Sequence, residues 1–175
     1  MNRRIMLILV LALSLPTSET VSSAAEDFVA RSGQSGEFLE LEHQINGQVF
    51  KSALPLHQAA GVRYFSAGVG LEERQAEYPP FSLKLVFTAG GKPYLAGVEV
   101  TIQPAKKGTT IHIPGEHVEG PWLFVDLPSG VYDVTATHGD HKQRLKGVKV
   151  EKGRQKTLHL RWAEDAGVTV KMPTE

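Results

Sequence analysis

The sequence predicts an all-β fold: an antiparallel Greek-key β-sandwich of about seven strands, with an extra N-terminal β-hairpin and one short helix. From Phe81 onward, short segments rich in Val, Ile, Leu and aromatic residues alternate with Gly, Pro or Asp. Their spacing of roughly 8–12 residues is typical of sandwiches. No helical pattern of core-forming length lies between them, which argues against an α/β fold. Asn46-Gly47, between two alternating segments, indicates the additional hairpin.

Residues 1–25 have the order of regions found in a secretory signal peptide. The basic pair Arg3-Arg4 precedes an almost unbroken apolar run from Ile5 to Leu15, and Ser23-Ala24-Ala25 resembles a cleavage site. The apolar run is too short to cross roughly 30 Å of hydrocarbon. We therefore expect cleavage near Ala25, no stable membrane span afterwards, and a periplasmic or secreted location.

Composition narrows the class of partner. The chain has no cysteine, so an exported domain of this sequence is stabilised by its core rather than by disulfides. Basic and acidic residues number 19 each; loss of Arg3, Arg4 and Glu19 with the first 25 residues leaves 17 and 18. This balance argues against nucleic-acid binding, which needs a basic face. Gly68-Val69-Gly70 lacks the rest of a nucleotide-binding loop, and no cofactor is predicted.

Residues 37–80 are predicted to form the N-terminal hairpin and a connector. A two-residue turn at Asn46-Gly47 determines the register on both faces. The predicted pairs are His43–Phe50, Leu41–Ser52 and Leu39–Leu54 on one face, and the oppositely charged Glu42–Lys51 on the other. Farther along, 61–70 suggests a short strand, and 71–77 a brief helix that stops before Pro79-Pro80.

Residues 81–162 are predicted to form the sandwich, between a disordered leader at 26–36 and a flexible tail at 163–175. The leader ends in Ser-Gly-Gln-Ser-Gly, which favours irregular structure. The seven predicted strands are 82–88, 97–103, 109–113, 122–127, 131–138, 142–150 and 155–162.

The stretch from Asp126 to His141 reads as a turn, a strand and a second turn. Pro128-Ser129-Gly130 separates two strands, and Gly139-Asp140 is a candidate two-residue hairpin loop. That loop predicts the cross-strand pairs Val134–Leu145, Asp133–Lys146 and His138–His141.

The segment Leu-Pro-Ser-Gly-Val-Tyr-Asp-Val-Thr-Ala at 127–136 resembles the carboxypeptidase regulatory-like domain, a transthyretin-like (prealbumin-like) sandwich similar in shape to Cna B-type repeats. Gly130 and Tyr132 match the family's turn, which implies that Tyr132 packs against the core. Three further segments resemble small secreted proteobacterial proteins of this class: 66–73, 82–87 and Gly120-Pro121. Ala67 and Ser82 depart from their pattern. The resemblance implies a fold and an accessory role rather than an activity.

The sharpest candidate site consists of His138, Asp140 and His141. Directly opposed residues have Cβ atoms about 4.5–5.5 Å apart, so two imidazoles can share a metal with Asp140 as third ligand. The alternative is a polar hairpin tip with no ligand. His112 and His117 fit no standard zinc spacing and read as loop residues. Five aromatic residues could form a sugar-binding platform if they are exposed: Phe87, Trp122, Phe124, Tyr132 and Trp162. At strand spacing we expect all of them in the core except Trp122.

Catalytic signatures are weak. The chain has no Cys, and none of its Ser residues occurs in Gly-x-Ser-x-Gly. Among transthyretin-like proteins, the 5-hydroxyisourate hydrolases have a C-terminal Tyr-Arg-Gly-Ser, whereas residues 171–175 read Lys-Met-Pro-Thr-Glu. A pocket lined by two or more of five residues would instead favour that activity: His43, His112, His138, His159 and Arg161.

These observations predict an exported, non-catalytic module with a binding or structural role in the periplasm or cell envelope. Its expected partner is a protein or glycan of the envelope. A transthyretin-like hydrolase and a periplasmic metal-binding protein are the alternatives. A run of basic residues alternates on a strand: Lys142, Arg144, Lys146, Lys149 and Lys152. It describes an exposed face that either binds an acidic partner or, more often in proteins, is merely solvated.

Overall fold

The computed structural model describes residues 28–32, 36–45, 48–90 and 95–163. Within those ranges the chain forms twelve strands and one short α-helix. In chain order they are β1 Phe28–Ser32, β2 Phe38–Ile45, β3 Gln48–Pro55, β4 His57–Ala59, β5 Val62–Ala67, α1 Leu71–Gln75, β6 Leu83–Ala89, β7 Glu99–Pro104, β8 Ile111–Ile113, β9 Trp122–Val125, β10 Gly130–His138, β11 His141–Val150 and β12 Lys156–Trp162.

The strands form three sheets, which confirms the all-β sandwich class. One sheet has the order β11-β10-β7-β8, a second β12-β6-β9-β5-β4, and a third β1-β2-β3. All seven strands predicted after residue 81 are present. β12 runs parallel to β6, whereas the other described pairs within the sheets are antiparallel. The Greek-key connectivity stays a prediction.

The main core lies between the four- and five-stranded sheets. Period-two alternation places Leu83, Leu85 and Phe87 of β6 in it, opposite Val134 and Ala136 of β10. All five side chains are fully buried. Burial of one large apolar side chain stabilises the fold by about 1.5–3 kcal/mol. The alternation, which buries every second residue of these strands, is therefore the main source of stability.

A second, smaller core covers the opposite face of the five-stranded sheet. Phe65 of β5 and Phe124 of β9 stack there with ring centroids 4.6 Å apart, beneath Leu39 and Leu41 of β2. The neighbouring Tyr64 points the other way, into the main core. β5 is therefore buried on both faces. The five-stranded sheet is the middle layer of three.

The N-terminal hairpin has the predicted register. His43 pairs with Phe50 and Leu39 with Leu54; Lys51 Nζ lies 2.6 Å from Glu42 Oε1. Asn46 and Gly47 lie outside the described residues, as do the predicted signal peptide and nearly all of the predicted tail.

The prediction of a disordered leader is wrong for residues 28–32. They form β1, which pairs with the edge of β2, and the Ala30 amide donates a hydrogen bond to the Glu77 carbonyl (2.9 Å). Ala30 is buried in the second core. A free strand edge satisfies the backbone groups of a segment that has few core residues of its own.

β4 and β5 form a hairpin within the stretch predicted to be mostly connector. Its turn, Ala60-Gly61, has positive φ at both residues (50° and 79°), the geometry of a type I′ turn. Asn, Asp or Gly normally occupies the first central position of that turn. Because Ala60 stands there, the sequence did not indicate the turn. The hairpin belongs to the five-stranded sheet through the pairing of β5 with β9.

The β10–β11 hairpin confirms two predicted pairs and corrects one. Val134 pairs with Leu145, and His138 with His141. The register shifts between Tyr132 and Val134, so the predicted direct pairing of Asp133 with Lys146 is not formed, although the charge of Lys146 still helps to lower the pKa of Asp133. Gly147, with φ 66°, gives β11 an extra residue there. The Asp133 carboxylate accepts a hydrogen bond from the Gly147 amide (3.0 Å) and forms an ion pair with Arg144 (3.0 Å). Both interactions lower the pKa of Asp133.

Candidate functional site

The turn before β10 is a packing element. Tyr132 is 6% exposed, and its hydroxyl donates to the Pro128 carbonyl (2.9 Å). A Cβ at Gly130 would lie 3.1 Å from Tyr132 Cε2, so the ring covers the glycine. This burial confirms the expected contact of Tyr132 with the core.

Two separated segments of the resemblance meet in the structure. We call Ser66–Glu73 together with Gly120-Pro121 the motif junction. The Gly120 amide donates to Ser66 Oγ (2.9 Å), and the Ser66 hydroxyl lies 3.3 Å from the Gly120 carbonyl. A Cβ at Gly120 would lie 2.4 Å from the Ala67 carbonyl oxygen. Only glycine therefore fits at position 120 without a backbone shift.

Glu73 closes the loop of the motif junction. Its Oε2 accepts hydrogen bonds from the amides of Gly68 (2.7 Å) and Val69 (3.0 Å). The Tyr78 hydroxyl donates to the Glu73 carbonyl (2.7 Å), and burial raises the pKa of Tyr78 above its ordinary value. The carboxylate thus serves the fold, since the Gly68 and Val69 amides that it binds belong to its own loop.

Trp122, the aromatic residue that we did not expect in the core, is half-buried. Its ring is nevertheless covered by neighbouring residues. Lys84 Nζ lies 3.5 Å from the indole ring centroid, a cation–π contact. A Cβ at Gly68 would be 2.9 Å from Trp122 Cδ2. Burial lowers the pKa of Lys84. The indole therefore packs against the protein rather than presenting a free face to a sugar.

The predicted metal ligands lie at the tip of the β10–β11 hairpin. His138 and His141 are opposed, and Asp140 is exposed in the turn. His138 Nδ1 is buried without a hydrogen-bond partner. Across the described residues, no group of three or more His, Asp or Glu side chains is arranged to hold a metal ion. Metal binding by the two histidines stays a prediction.

A histidine cluster that the sequence did not predict joins β4 to the short 3₁₀ turn at Gly115–His117. The rings of His57 and His117 stack with centroids 3.9 Å apart and planes 6° apart. His117 Nδ1 lies 2.8 Å from the hydroxyl of the buried Tyr64. Burial and the neighbouring His117 lower the pKa of His57, partly offset by Glu119; burial raises the pKa of Tyr64.

His112 has different neighbours from His117. It lies on β8, with Nδ1 3.3 Å from Thr101 Oγ1 and Nε2 3.9 Å from Glu99. His112 thus lies on the strand predicted at 109–113 and not in a loop. No sequence signal linked His57 to His117, because 60 residues separate them and neither occurs in a spaced motif.

The β11–β12 segment is strongly basic. It has eight Lys and Arg residues and one acidic residue, Glu151, for a charge of +7. The chain as a whole has 19 of each sign, so the remainder has 11 basic and 18 acidic residues. All eight side chains are exposed. We call them the cationic edge: Lys142, Arg144, Lys146, Lys149, Lys152, Arg154, Lys156 and Arg161.

The fold brings these residues together because β11 and β12 are the end strands of two sheets on the same side of the sandwich. The Trp162 indole donates to the His141 carbonyl (3.4 Å), and the Gln143 amide to the Arg161 carbonyl. Arg144, Lys149 and Arg154 pair with carboxylates. The other five cations make no ion pair with a described carboxylate: Lys142, Lys146, Lys152, Lys156 and Arg161.

A surface cavity of about 400 Å³ opens where β11 turns into β12. Its lining residues are Lys149, Glu151, Arg154, Gln155, Lys156 and Thr157. His112, His138, His159 and Arg161, which would have favoured a hydrolase, do not line this cavity. The side chain of His43 lies outside the described ones.

Comparison with known proteins yields no family model, no curated protein and no solved structure that matches this chain. In the part of the chain that the structure describes, none of the helices has the length and apolar character needed to cross a bilayer.

Proposed function

We propose that this chain is an exported, non-catalytic β-sandwich module that binds an anionic partner in the periplasm or cell envelope through the cationic edge. The observation that supports the proposal is charge segregation: a charge of +7 on β11, β12 and the turn that joins them, in a chain that is neutral overall. Such a patch attracts polyanions and speeds their association. The carboxypeptidase regulatory-like resemblance supports an accessory rather than an enzymatic role.

The contrast with the other polar residues supports this assignment. Ser66, Glu73 and Tyr132 bond to the backbone of their own fold, whereas five cations of the cationic edge have no described carboxylate partner. Long exposed lysines keep their hydration and conformational freedom until a partner orders them.

A pull-down from the envelope fraction tests the binding role. Wild-type chain on beads should retain anionic material that is released by raising salt, because counterion release weakens polyanion binding. The double variant Lys142→Glu/Lys146→Glu should lose that retention. The matched control is Lys106→Glu/Lys107→Glu, with the same charge change on the exposed loop between β7 and β8. Equal losses in both variants would contradict a role for the cationic edge.

Export is tested by mass spectrometry of the protein from its native host. The expected chain begins close to Glu26, because the basic, apolar and small-residue regions occur in the order that signal peptidase requires. Recovery of a chain with intact Met1 from the cytoplasm would contradict export.

One observation favours the metal-binding alternative: His138 Nδ1 is buried and unpartnered beside His141. A shared zinc or copper ion should raise the melting temperature by mass action. The rise should vanish in His138→Ala. Calorimetry at neutral pH that shows no heat with either metal would end this alternative.

A further inference from the structure

The cavity at the β11–β12 turn is the part of the cationic edge with the most defined geometry. Glu151 and Arg154 form an isolated backbone bridge, and the Arg154 amide donates to the Glu151 carbonyl (3.1 Å). Gly153 has φ 80° in this turn. The Lys152 amide is held by Ser129 Oγ (2.9 Å). The turn therefore presents its side chains from a constrained backbone.

Glu151 occupies the position between two of the cavity's cations. Its Oε1 lies 3.3 Å from Lys149 Nζ and its Oε2 3.7 Å from Arg154 Nη1. Lys156, the third cation of the lining, makes no ion pair with a described carboxylate. The lining thus has three positive charges and one negative charge. The paired side chains of Lys149, Glu151 and Arg154 are at least half exposed. Their two ion pairs are therefore weak and exchangeable.

We propose that this cavity binds the phosphate monoester group of a water-soluble ligand, such as a phosphorylated sugar, which replaces the Glu151 carboxylate between Lys149 and Arg154. The inference rests on the proposed function and names the ligand chemistry for it. The net charge of +2 matches the roughly −1.5 to −2 of a phosphate monoester at pH 7.

The lining chemistry fits that ligand. The Arg154 guanidinium can bind two phosphate oxygens in parallel. The Thr157 hydroxyl provides a neutral donor, as does the second N–H of the Gln155 amide, whose first donates to the Phe81 carbonyl (3.2 Å). A volume of about 400 Å³ exceeds the roughly 30 Å³ that one water takes in the liquid, which leaves room for the group that bears the phosphate. None of the lining residues is a large apolar residue, so the cavity has nothing to insert into a lipid layer.

Isothermal titration calorimetry of the full chain tests the proposal with glucose 6-phosphate and inorganic phosphate, at an ionic strength held constant with chloride. Saturable binding is expected in wild type. Arg154→Gln and Lys156→Gln should each weaken it about tenfold or more, the size expected for one charge-assisted hydrogen bond. Glu151→Gln should strengthen it several-fold, because the competing carboxylate is gone. The matched control Lys106→Gln should bind as wild type does.

Several results would overturn the proposal. An absence of heat with both phosphates would do so, as would unchanged or weaker binding in Glu151→Gln or an equal loss in Lys106→Gln. A parallel titration uses vesicles that contain phosphatidic acid, and binding to these vesicles alone would also contradict a water-soluble ligand. Melting temperatures without ligand should be similar in all variants, since these side chains are exposed. If the envelope pull-down still depends on Lys142 and Lys146 while phosphate does not bind, the proposed function stands and this cavity is not its ligand site.

Discussion

The motif junction and the cationic edge are both rich in polar residues, but they use them in opposite ways. In the motif junction, Ser66 and Glu73 bond to backbone groups at distances of 2.7–3.3 Å, and Gly120 is packed against Ala67. In the cationic edge, most charges face water without a described partner. The comparison teaches that the polar residues of the motif junction serve folding, while the binding role that we propose is assigned to a segment with no motif.

The largest effect is expected where motif and core coincide. Tyr132→Ala should lower the free energy of unfolding by about 3–5 kcal/mol, the range for loss of a buried aromatic side chain. Tyr132→Phe, which keeps the ring and loses only the bond to Pro128, should cost about 0.5–1.5 kcal/mol. Urea unfolding measures both. A melting point unchanged by Tyr132→Ala would show that the strand register is wrong.

Glu73→Ala removes the acceptor of two amide hydrogen bonds in the motif junction. We expect a loss of about 1.5–3 kcal/mol in the free energy of unfolding, the range for bonds to a charged group. The exposed Glu77→Ala is the control and should stay within about 0.5 kcal/mol of wild type. Equal effects in chemical denaturation would mean that the Glu73 carboxylate does not hold its loop.

Ala60→Gly tests backbone strain in the turn that leads into β5. Ala60 has φ 50°, a conformation that disfavours residues with a Cβ by about 1–2 kcal/mol. Glycine relieves that strain but loses more entropy on folding, so a net gain of about 0.5–1 kcal/mol is expected. Ala59→Gly, on the extended strand β4, should destabilise. A lower melting temperature for Ala60→Gly would refute the left-handed turn.

The histidine cluster should make stability depend on pH. The pKa of His57 is lowered in the folded chain by burial and by His117, so the unfolded chain takes up this proton first, near pH 6.5. The free energy of unfolding should therefore fall as pH drops below about 6.5, and level off below the folded pKa. Glu119 opposes the shift, and Tyr64 stays neutral in this range.

Urea unfolding between pH 7.5 and 5 measures this slope. In His57→Gln the slope should be smaller, whereas the control His112→Gln, on the exposed face of β8, should keep it. A slope in His57→Gln equal to that of the wild type would contradict a lowered pKa of His57 in the folded chain.

The smallest effect on stability is expected at the cationic edge. Lys142→Gln and Lys146→Gln should each change the free energy of unfolding by less than about 0.5 kcal/mol, as exposed unpaired residues do. Both should nevertheless reduce retention of anionic envelope material. A destabilisation as large as that of Glu73→Ala would remove the distinction between the two regions.

Local patterns in the sequence determined the strands of the main core and the registers of two hairpins. Alternation in β6 and β10 places every second residue in the core, and the pairs His43–Phe50 and His138–His141 follow from two-residue turns. These features depend on neighbours within about ten residues, where side-chain period and turn geometry leave few alternatives. The family-like turn also indicated the burial of Tyr132.

Tertiary structure alone decided the rest. It placed β5 in a middle layer buried on both faces, set β12 parallel to β6, and held Ala60 in a left-handed turn that its side chain disfavours. It stacked His57 on His117 and brought the basic strands β11 and β12 to one side of the sandwich. Each feature results from the packing of segments distant in sequence, where the free energy of burying both sheet faces outweighs local preference. The sequence by itself determined which residues are basic and which strands alternate, and only the packing of the sheets decided which of these residues meet.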